Sequence, residues 1–356
     1  MDKVYSILPE SSNDIFGSVI ETVTTGTPLR NAIDMITHAQ NGALICIGDV
    51  ENVLLLSNGG FKIDVPFTPQ RLFELSKMDG AIVLTEDVKQ IVFANLHLNP
   101  DPGIMTSETG MRHRTAERMS AETASTVIAI SKRRIRTTMY KGGQSFTLES
   151  DQMLLSKGNQ GLLVLQNLKD TLERASMRLS FLELDDIVTI ADVVEVLSRY
   201  CSLLMTATET ERYINYLGNN SGLLRNQLTE ILGGLVDTFL LVIRDYAVTD
   251  DVLDAEAIAR ALLELEPDER DSQNIMNQLG FVNPMADETH ISPRGFRAIS
   301  RISMLDEVAV SKIIEEYGSL RAIVRDSKSG FDRLEGLGVD NVRAIAKSFL
   351  QLRSAL

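Results

Sequence analysis

The feature that most constrains this chain is a change of hydrophobic period near residue 150. Before it, helix and strand signals alternate. "TPLRNAIDMITHAQ" opens with Thr27 and Pro28 in cap and first-turn positions, and "TPQRLFELSKM" repeats that helix start. Between and after them, "GALICIGD", "AIVLTE", "IVFANLHL", "TVIAIS" and "IRTTMY" are short apolar runs rich in β-branched residues, separated by turns. This pattern predicts an α/β domain with a mixed sheet. After about residue 160 the pattern is almost wholly helical. Leu165, Leu168, Leu172, Ala175, Leu179 and Leu182 recur at spacings of three and four, and three further amphipathic segments follow. That region predicts an all-α bundle, part of whose seam is available to join subunits.

At 356 residues the chain has room for two or three domains of about 100–200 residues each. Charge divides it the same way. Residues 1–150 carry a net −3, residues 151–290 a net −14, and residues 291–356 a net +3. We therefore expect an α/β domain over 1–150, a helical domain over 151–290 and a mildly basic accessory module over 291–356. The N-terminal "MDKVYSILPESSND" has no apolar core of signal-peptide length, and the run "ILGGLVDTFLLVI" is too short for a membrane span and is interrupted by Asp237. The two cysteines, Cys46 and Cys201, form no framework, which points to a reducing cytoplasm. None of the four histidines has zinc-like partners nearby in sequence.

Two stretches carry the chemistry. "SETGMRHRTAER" sets Arg112, His113, Arg114 and Arg118 just after a polar, glycine-containing turn in an acidic protein. In a fully helical stretch Arg112 and Arg114 diverge by roughly 200°. They converge only at the start of a helix, where backbone N–H groups also attract anions. The cluster is either a phosphate-gripping site or a solvated basic face. "SKMDGAIVL" places Asp79, Gly80 and Ala81 between a helix and a buried strand. Asp-Gly there is either an ordinary turn or a carboxylate positioned to hold a cation or a sugar hydroxyl. In the tail, "FDRLEGLGVDNVRAIAKSF" reads helix, Gly-x-Gly turn, helix. Gly336 and Gly338 would bare backbone N–H groups toward a nucleic-acid phosphate, with Arg343 and Lys347 flanking it. A plain glycine cap and turn is the alternative.

"KMDGA" followed by "ETGMRHRTAER" resembles the Asp-Gly-Ala and Arg-His-Arg motifs of the diadenylate cyclase family. With the helical middle and the helix-hairpin-helix tail, the whole chain resembles the bacterial DNA integrity scanning proteins. The resemblance implies condensation of two ATP into cyclic di-AMP and two pyrophosphates, with Mg²⁺ or Mn²⁺. It also implies binding of branched DNA such as Holliday junctions. It implies a homo-oligomer of face-to-face dimers, an octamer in the family, that is cytoplasmic, associated with the chromosome and without a membrane. Carried onto this chain, Asp79 would bind the metal and activate the ribose 3′-hydroxyl. Gly80, Ala81 and Leu98 would contact the nucleotide. Arg112, His113 and Arg114 would grip phosphates, with Thr115 and Ser131 adding polar contacts. Met111 stands where the family often has Thr, leaving a backbone contact there. Two rival functions remain open at this stage: a nucleotide-sensing junction-binding protein without turnover, and a nucleotidyltransferase with another acceptor.

Overall fold

The computed structural model describes residues 17–132, 136–249, 252–282, 286–302 and 305–326, with Ile345 and Lys347. It divides into two compact units. One comprises Ser11–Gly158 and Arg212–Leu224, and the other is built on Asn159–Glu211 and Arg225–Leu356.

The first unit is α/β. Helix α1 (Gly17–Val23) leads to α2 (Pro28–His38), where the Thr27 hydroxyl accepts from the Arg30 amide at 3.3 Å and Pro28 sits in the first turn. Then come β1 (Ala43–Ile47), α3 (Val50–Leu55), β2 (Ser57–Pro66) and α4 (Pro69–Leu75), which Thr68 caps in the same way. Strands β3 (Ala81–Leu84) and β4 (Gln90–Leu98), helix α5 (Met111–Glu122) and strands β5 (Thr126–Ile130), β6 (Thr137–Lys141) and β7 (Gln144–Leu148) complete the unit. The seven strands run in the order β2-β4-β3-β1-β5-β6-β7. Among the described strands only β1–β3 is a parallel pair, so the sheet is mixed as the pattern predicts.

Both faces of the central strands are covered, which is why their sequences are continuously apolar and do not alternate. On one face Ile45, Ile82 and Ile128 pack with Leu29, Ile33 and Ile36 of α2 and Leu72 of α4. On the other, Leu44, Cys46, Ala81, Val83, Val127 and Ala129 pack with Ala116 and Met119 of α5. Strand β2 was not predicted, because it is a largely exposed edge strand whose sequence carries two glycines near its start and alternates only over Phe61, Ile63 and Val65. Burial pushes the thiols of both Cys46 and Cys201 up to about 12, so neither serves as a nucleophile near neutral pH.

The second unit is helical. Helix α6 (Asp151–Asp185) carries the predicted seam, in which Leu165, Leu172, Ala175 and Leu179 are buried. It meets α7 (Ile190–Tyr216) at Gly161, where a Cβ would lie 2.4 Å from the Thr210 hydroxyl. By length and composition alone residues 218–246 could cross a bilayer, a longer run than the sequence window indicated. Gly234, at φ +69°, breaks that run into α8 (Gly222–Leu232) and α9 (Leu235–Tyr246). Val236, Phe239, Val242 and Ile243 of α9 are buried. Helices α10 (Val252–Glu264) and α11 (Ser272–Gln278) follow, and then α12 (Phe296–Ser300), α13 (Glu307–Tyr317) and α14 (Leu320–Asp326). Helices α13 and α14 form a hairpin, with Gly318 at φ +66° closing the first of them. Gly336, Gly338 and Arg343 lie outside the described residues, and Lys347 is helical and exposed.

A buried ionic cluster anchors the start of α12. Asp245 accepts from the backbone amides of Gly295, Phe296 and Arg297, while the Arg297 guanidinium pairs with Glu183, which also accepts from the Tyr246 hydroxyl at 2.8 Å. Burial, and then the Glu183 carboxylate, push the Asp245 carboxyl up to about 7. A carboxyl whose folded pKa exceeds its unfolded value stabilises the fold below the unfolded pKa and loses that contribution as pH rises through the folded one. The Tm of this unit should therefore fall between pH 5 and pH 8. Asp245→Asn, which keeps an acceptor at the cap, should flatten that slope. Thermal melts of both proteins across this range are the check, and equal slopes would contradict the assignment.

Candidate active site

Sheet register collects the predicted residues at one end of the first unit. Leu96, Ala81, Leu44 and Ala129 pair successively across β4, β3, β1 and β5. Asp79 and Gly42 stand two residues before that row on their strands, and Leu98 and Ser131 two residues after it on theirs. With about 4.8 Å between neighbouring strands, Asp79 and Ser131 are about 10 Å apart along this edge. Gly80 is fixed by close approach. Its φ is +88°, and a Cβ there would stand 2.8 Å from the Asn95 carbonyl carbon and the Leu96 oxygen. Asn95, at φ +58°, forms the irregular step where β4 slips against β3. The Asp-Gly pair is therefore an anchored junction that leaves Asp79 exposed at the sheet's end. The side chains of Ala81 and Leu98 are buried in the sheet core, so a ligand meets their backbone and not their side chains.

Helix α5 begins at Met111, with Gly110 as an N-cap that supplies no side-chain acceptor. Its first amides point where an anion binds well. An open cavity of about 510 Å³ lies there, lined by residues 108–113 with Ser131, Lys132 and Arg136. Among the described residues that line it, Arg112, Lys132 and Arg136 are three cations against the single carboxylate of Glu108. This composition suits a polyphosphate.

Each side chain has a distinct support. The Arg112 guanidinium donates to the Ile130 carbonyl at 3.2 Å and lies against Gly42. A Cβ on Gly42 would clash with Arg112 Nη1, and the three atoms nearest to it all belong to that guanidinium. Gly42→Ala should therefore displace Arg112 while leaving the backbone in place, raising the ATP KM by about tenfold, the scale of one charge-assisted hydrogen bond. Steady-state kinetics with a parallel melt would show it, and an unchanged KM would contradict the placement. His113 is buried, its Nδ1 2.9 Å from the Tyr140 hydroxyl, which donates to Glu108 at 2.8 Å. Arg118 donates to the Ile104 carbonyl and braces the preceding loop.

The structure corrects one expectation. Because α5 is regular from Met111 onward, Arg112 and Arg114 are not drawn together at its start. Roughly 200° of helix turn separates them, and only Arg112 lines the cavity. Of the predicted residues, Met111, Arg112, His113 and Ser131 share the cavity, whereas Asp79, Gly80, Ala81, Leu98, Arg114 and Thr115 do not line it. Sequence reasoning missed Gly42, Glu108, Lys132, Arg136 and Tyr140. Glu108 lies within the arginine-rich motif and Lys132 next to Ser131, so both were within reach, but Gly42 and Tyr140 join the site only through strand register. Among the described residues no group of three or more His, Cys, Asp or Glu is placed to hold a metal ion. Asp79 alone suits a Mg²⁺-type ion that keeps most of its ligands from water and substrate phosphates.

Residues 30–145 match the family model described as DisA bacterial checkpoint controller nucleotide-binding. Residues 148–287 match the DisA bacterial checkpoint controller linker region. Fold and site thus define a nucleotide-binding α/β domain followed by a helical linker. The DNA integrity scanning proteins DisA of Symbiobacterium thermophilum and Acetivibrio thermocellus are 41% and 39% identical to the chain. The matches cover 95% of this chain in both cases, and 96% and 94% of those proteins. The protein of the same name from Carboxydothermus hydrogenoformans is 37% identical over 94% of this chain and 96% of its own. The chain belongs to the DisA family.

Proposed function

We propose that the phosphates of ATP lie in the cavity at the start of α5, and that Asp79 of a second copy acts on the same nucleotide. The chain is a diadenylate cyclase with a role in DNA integrity scanning. The observation that supports the two-copy arrangement is the separation within one copy: Arg112, His113 and Ser131 line a cavity that Asp79 does not.

In each half-reaction the 3′-oxygen of one ATP bonds to the α-phosphorus of the other. The bond from that phosphorus to the bridging oxygen breaks, pyrophosphate leaves, and the hydroxyl proton passes toward Asp79. Arg112, His113, Ser131 and the α5 amides hold the phosphates and offset the negative charge that grows on them. Arg114 and Thr115, turned away from this cavity, address the partner's nucleotide. Gly80, Ala81 and Leu98 present backbone to it, and the Met111 amide belongs to the same row of N–H groups. A divalent metal, Mg²⁺ or Mn²⁺, when bound at Asp79, supplies Lewis acidity to the hydroxyl and the phosphates. Two identical half-reactions yield a two-fold symmetric product, so face-to-face dimers are the smallest competent assembly. The family's octamer is the larger one.

Residues 1–150 form the cyclase domain, 151–290 the helical spine and 291–356 the DNA-binding module. In that module the turn at Gly336 and Gly338, with Arg343 and Lys347, contacts phosphates of branched DNA or Holliday junctions. This reading places the protein in the cytoplasm, on the chromosome.

A mixed dimer of Asp79→Asn and Arg112→Ala tests the shared site. If each nucleotide meets Arg112 of one copy and Asp79 of the other, the Asp79 that activates an attacking hydroxyl and the Arg112 that holds the attacked phosphate come from the same copy. Each half-reaction then lacks one of the two, and no dinucleotide is expected. A purified dimer of wild type with the double variant keeps one complete half-reaction and should give linear pppApA with one pyrophosphate. Linear product from the Asp79→Asn/Arg112→Ala dimer, and none from the second, would contradict a site built from two copies.

A further inference from the structure

The first unit holds another cavity, of about 150 Å³, that the proposed reaction does not use. It lies on the α2 face of the sheet, beside the edge strand β7. Its walls are mostly apolar and aromatic: Ile20, Val23 and Leu154, with the rings of Phe146, Tyr213 and Tyr216. Phe146 and Tyr216 meet edge-on with centroids 5.4 Å apart. An all-carbon cavity of this size takes one benzene-sized ring. This one also has polar groups in its wall. Arg30, only 4% exposed, is one of them. Its Nε donates to Asp34 at 3.0 Å, and its Nη2 donates to the Glu149 carbonyl and to Asp151, both at 2.9 Å. The two protons on Nη1 have no acceptor among the described residues. Glu149 lines the same wall. Its Oε1 takes the Lys157 ammonium, whereas Oε2 is buried without a donor.

We propose that this cavity binds a neutral, flat aromatic molecule carrying an acceptor and an N–H side by side, as in a primary amide or an aminoheterocycle. The ring fills the aromatic chamber, the acceptor takes a proton from Arg30, and the N–H goes to the Glu149 carboxylate. A guanidinium only donates and a carboxylate only accepts, so a ligand with one function alone leaves the other group unsatisfied. Apolar walls with a few convergent polar groups are also the usual make-up of a small-molecule site. Charge argues against an anion. The two cations Arg30 and Lys157 already face three carboxylates, Asp34, Asp151 and Glu149. A more open cavity of about 350 Å³ shares Arg30, Leu148 and Glu149, which leaves room for a substituent on the polar side of the ligand. Thr147 also lines the chamber, and its hydroxyl accepts from Arg136 at 3.3 Å. Arg136 lines the phosphate cavity, so the two sites are distinct but lie one hydrogen bond apart.

Benzamide is the probe, and benzoate, of the same shape but with a charge and no N–H, is its control. Both are titrated into the full-length protein with its Ile, Leu and Val methyl groups labelled for NMR. Benzamide should shift the methyls of Ile20, Val23, Leu148 and Leu154 saturably. It should bind at least about tenfold more tightly than benzoate, the scale of one hydrogen bond to a charged group. Glu149→Leu removes both the acceptor and the negative charge, so the benzamide-to-benzoate affinity ratio should fall by about tenfold or more. A ratio taken within one protein is not mimicked by a general loss of stability. Val23→Phe puts a ring of the protein's own into the chamber and should abolish the shifts, which keeps the test decisive if Glu149→Leu folds poorly. The absence of saturable shifts at these four residues in wild type overturns the proposal. So does benzoate that binds there as tightly as benzamide, or an unchanged ratio in a folded Glu149→Leu protein. Benzamide shifts that persist in a folded Val23→Phe protein place the ligand elsewhere and overturn it as well.

Discussion

Asp79→Asn should give a folded protein that binds ATP and makes almost no cyclic di-AMP. The substitution removes one charge at constant shape from an exposed side chain, so no core contact changes. Its neighbour Gly80 keeps the junction anchored, because the constraint there is backbone against backbone. A carboxylate that takes a proton from an attacking hydroxyl contributes about 10²–10⁴-fold, so turnover should fall by that factor with ATP affinity little altered. Chromatography of the products under saturating metal, beside a binding isotherm with a non-hydrolysable analogue, separates the two effects. Near-normal synthesis would remove Asp79 from the reaction.

Arg112→Ala should behave in the opposite sense, with the loss appearing first in ATP binding. The guanidinium is held by the Ile130 carbonyl and seated over Gly42, so it reaches the cavity already ordered. A charge-assisted hydrogen bond is worth about 1.5–3 kcal/mol, or roughly 10- to 100-fold in affinity. Arg114→Ala provides the contrast. It sits off the cavity of its own copy, and in the paired arrangement it serves the partner's nucleotide. Its loss should lower kcat more than it weakens analogue binding to a dilute monomer. If both variants bind and turn over ATP within about twofold of wild type, smaller than any charge-assisted contact, the basic cluster is a solvated face.

What the sequence revealed follows from how local each signal is. Thr27-Pro28 and Thr68-Pro69 announce helix starts because a cap is made by residues within one turn of each other. The strands β1 and β5 are legible because burial on both faces makes every position apolar. The helix break in the apolar run after residue 220 is not legible in the sequence, since a glycine pair fixes no direction until Gly234 takes a positive φ. Strand β2 carries no such signal, because its pairing with β4 is specified by backbone while most of its side chains face water.

The site divides along the same line. Arg112 and His113 are visible because α5 places them at a helix N-terminus within their own motif. The divergence of Arg112 and Arg114 follows from helix geometry alone, and the regular start of α5 decides it. Gly42 and Tyr140 are far from the motif in sequence and next to it in space, and only the register of β1, β5 and β6 makes them neighbours. In one copy the carboxylate at residue 79 does not line the cavity at residue 112. That separation is what turns a list of motif residues into a proposal about paired protomers.

The most direct measurement supplies the full-length chain with ATP and Mg²⁺ or Mn²⁺ and no other acceptor. The account predicts cyclic di-AMP with two equivalents of pyrophosphate. ATP that binds but is not converted, or adenylate transferred only when DNA or protein is added, would contradict it.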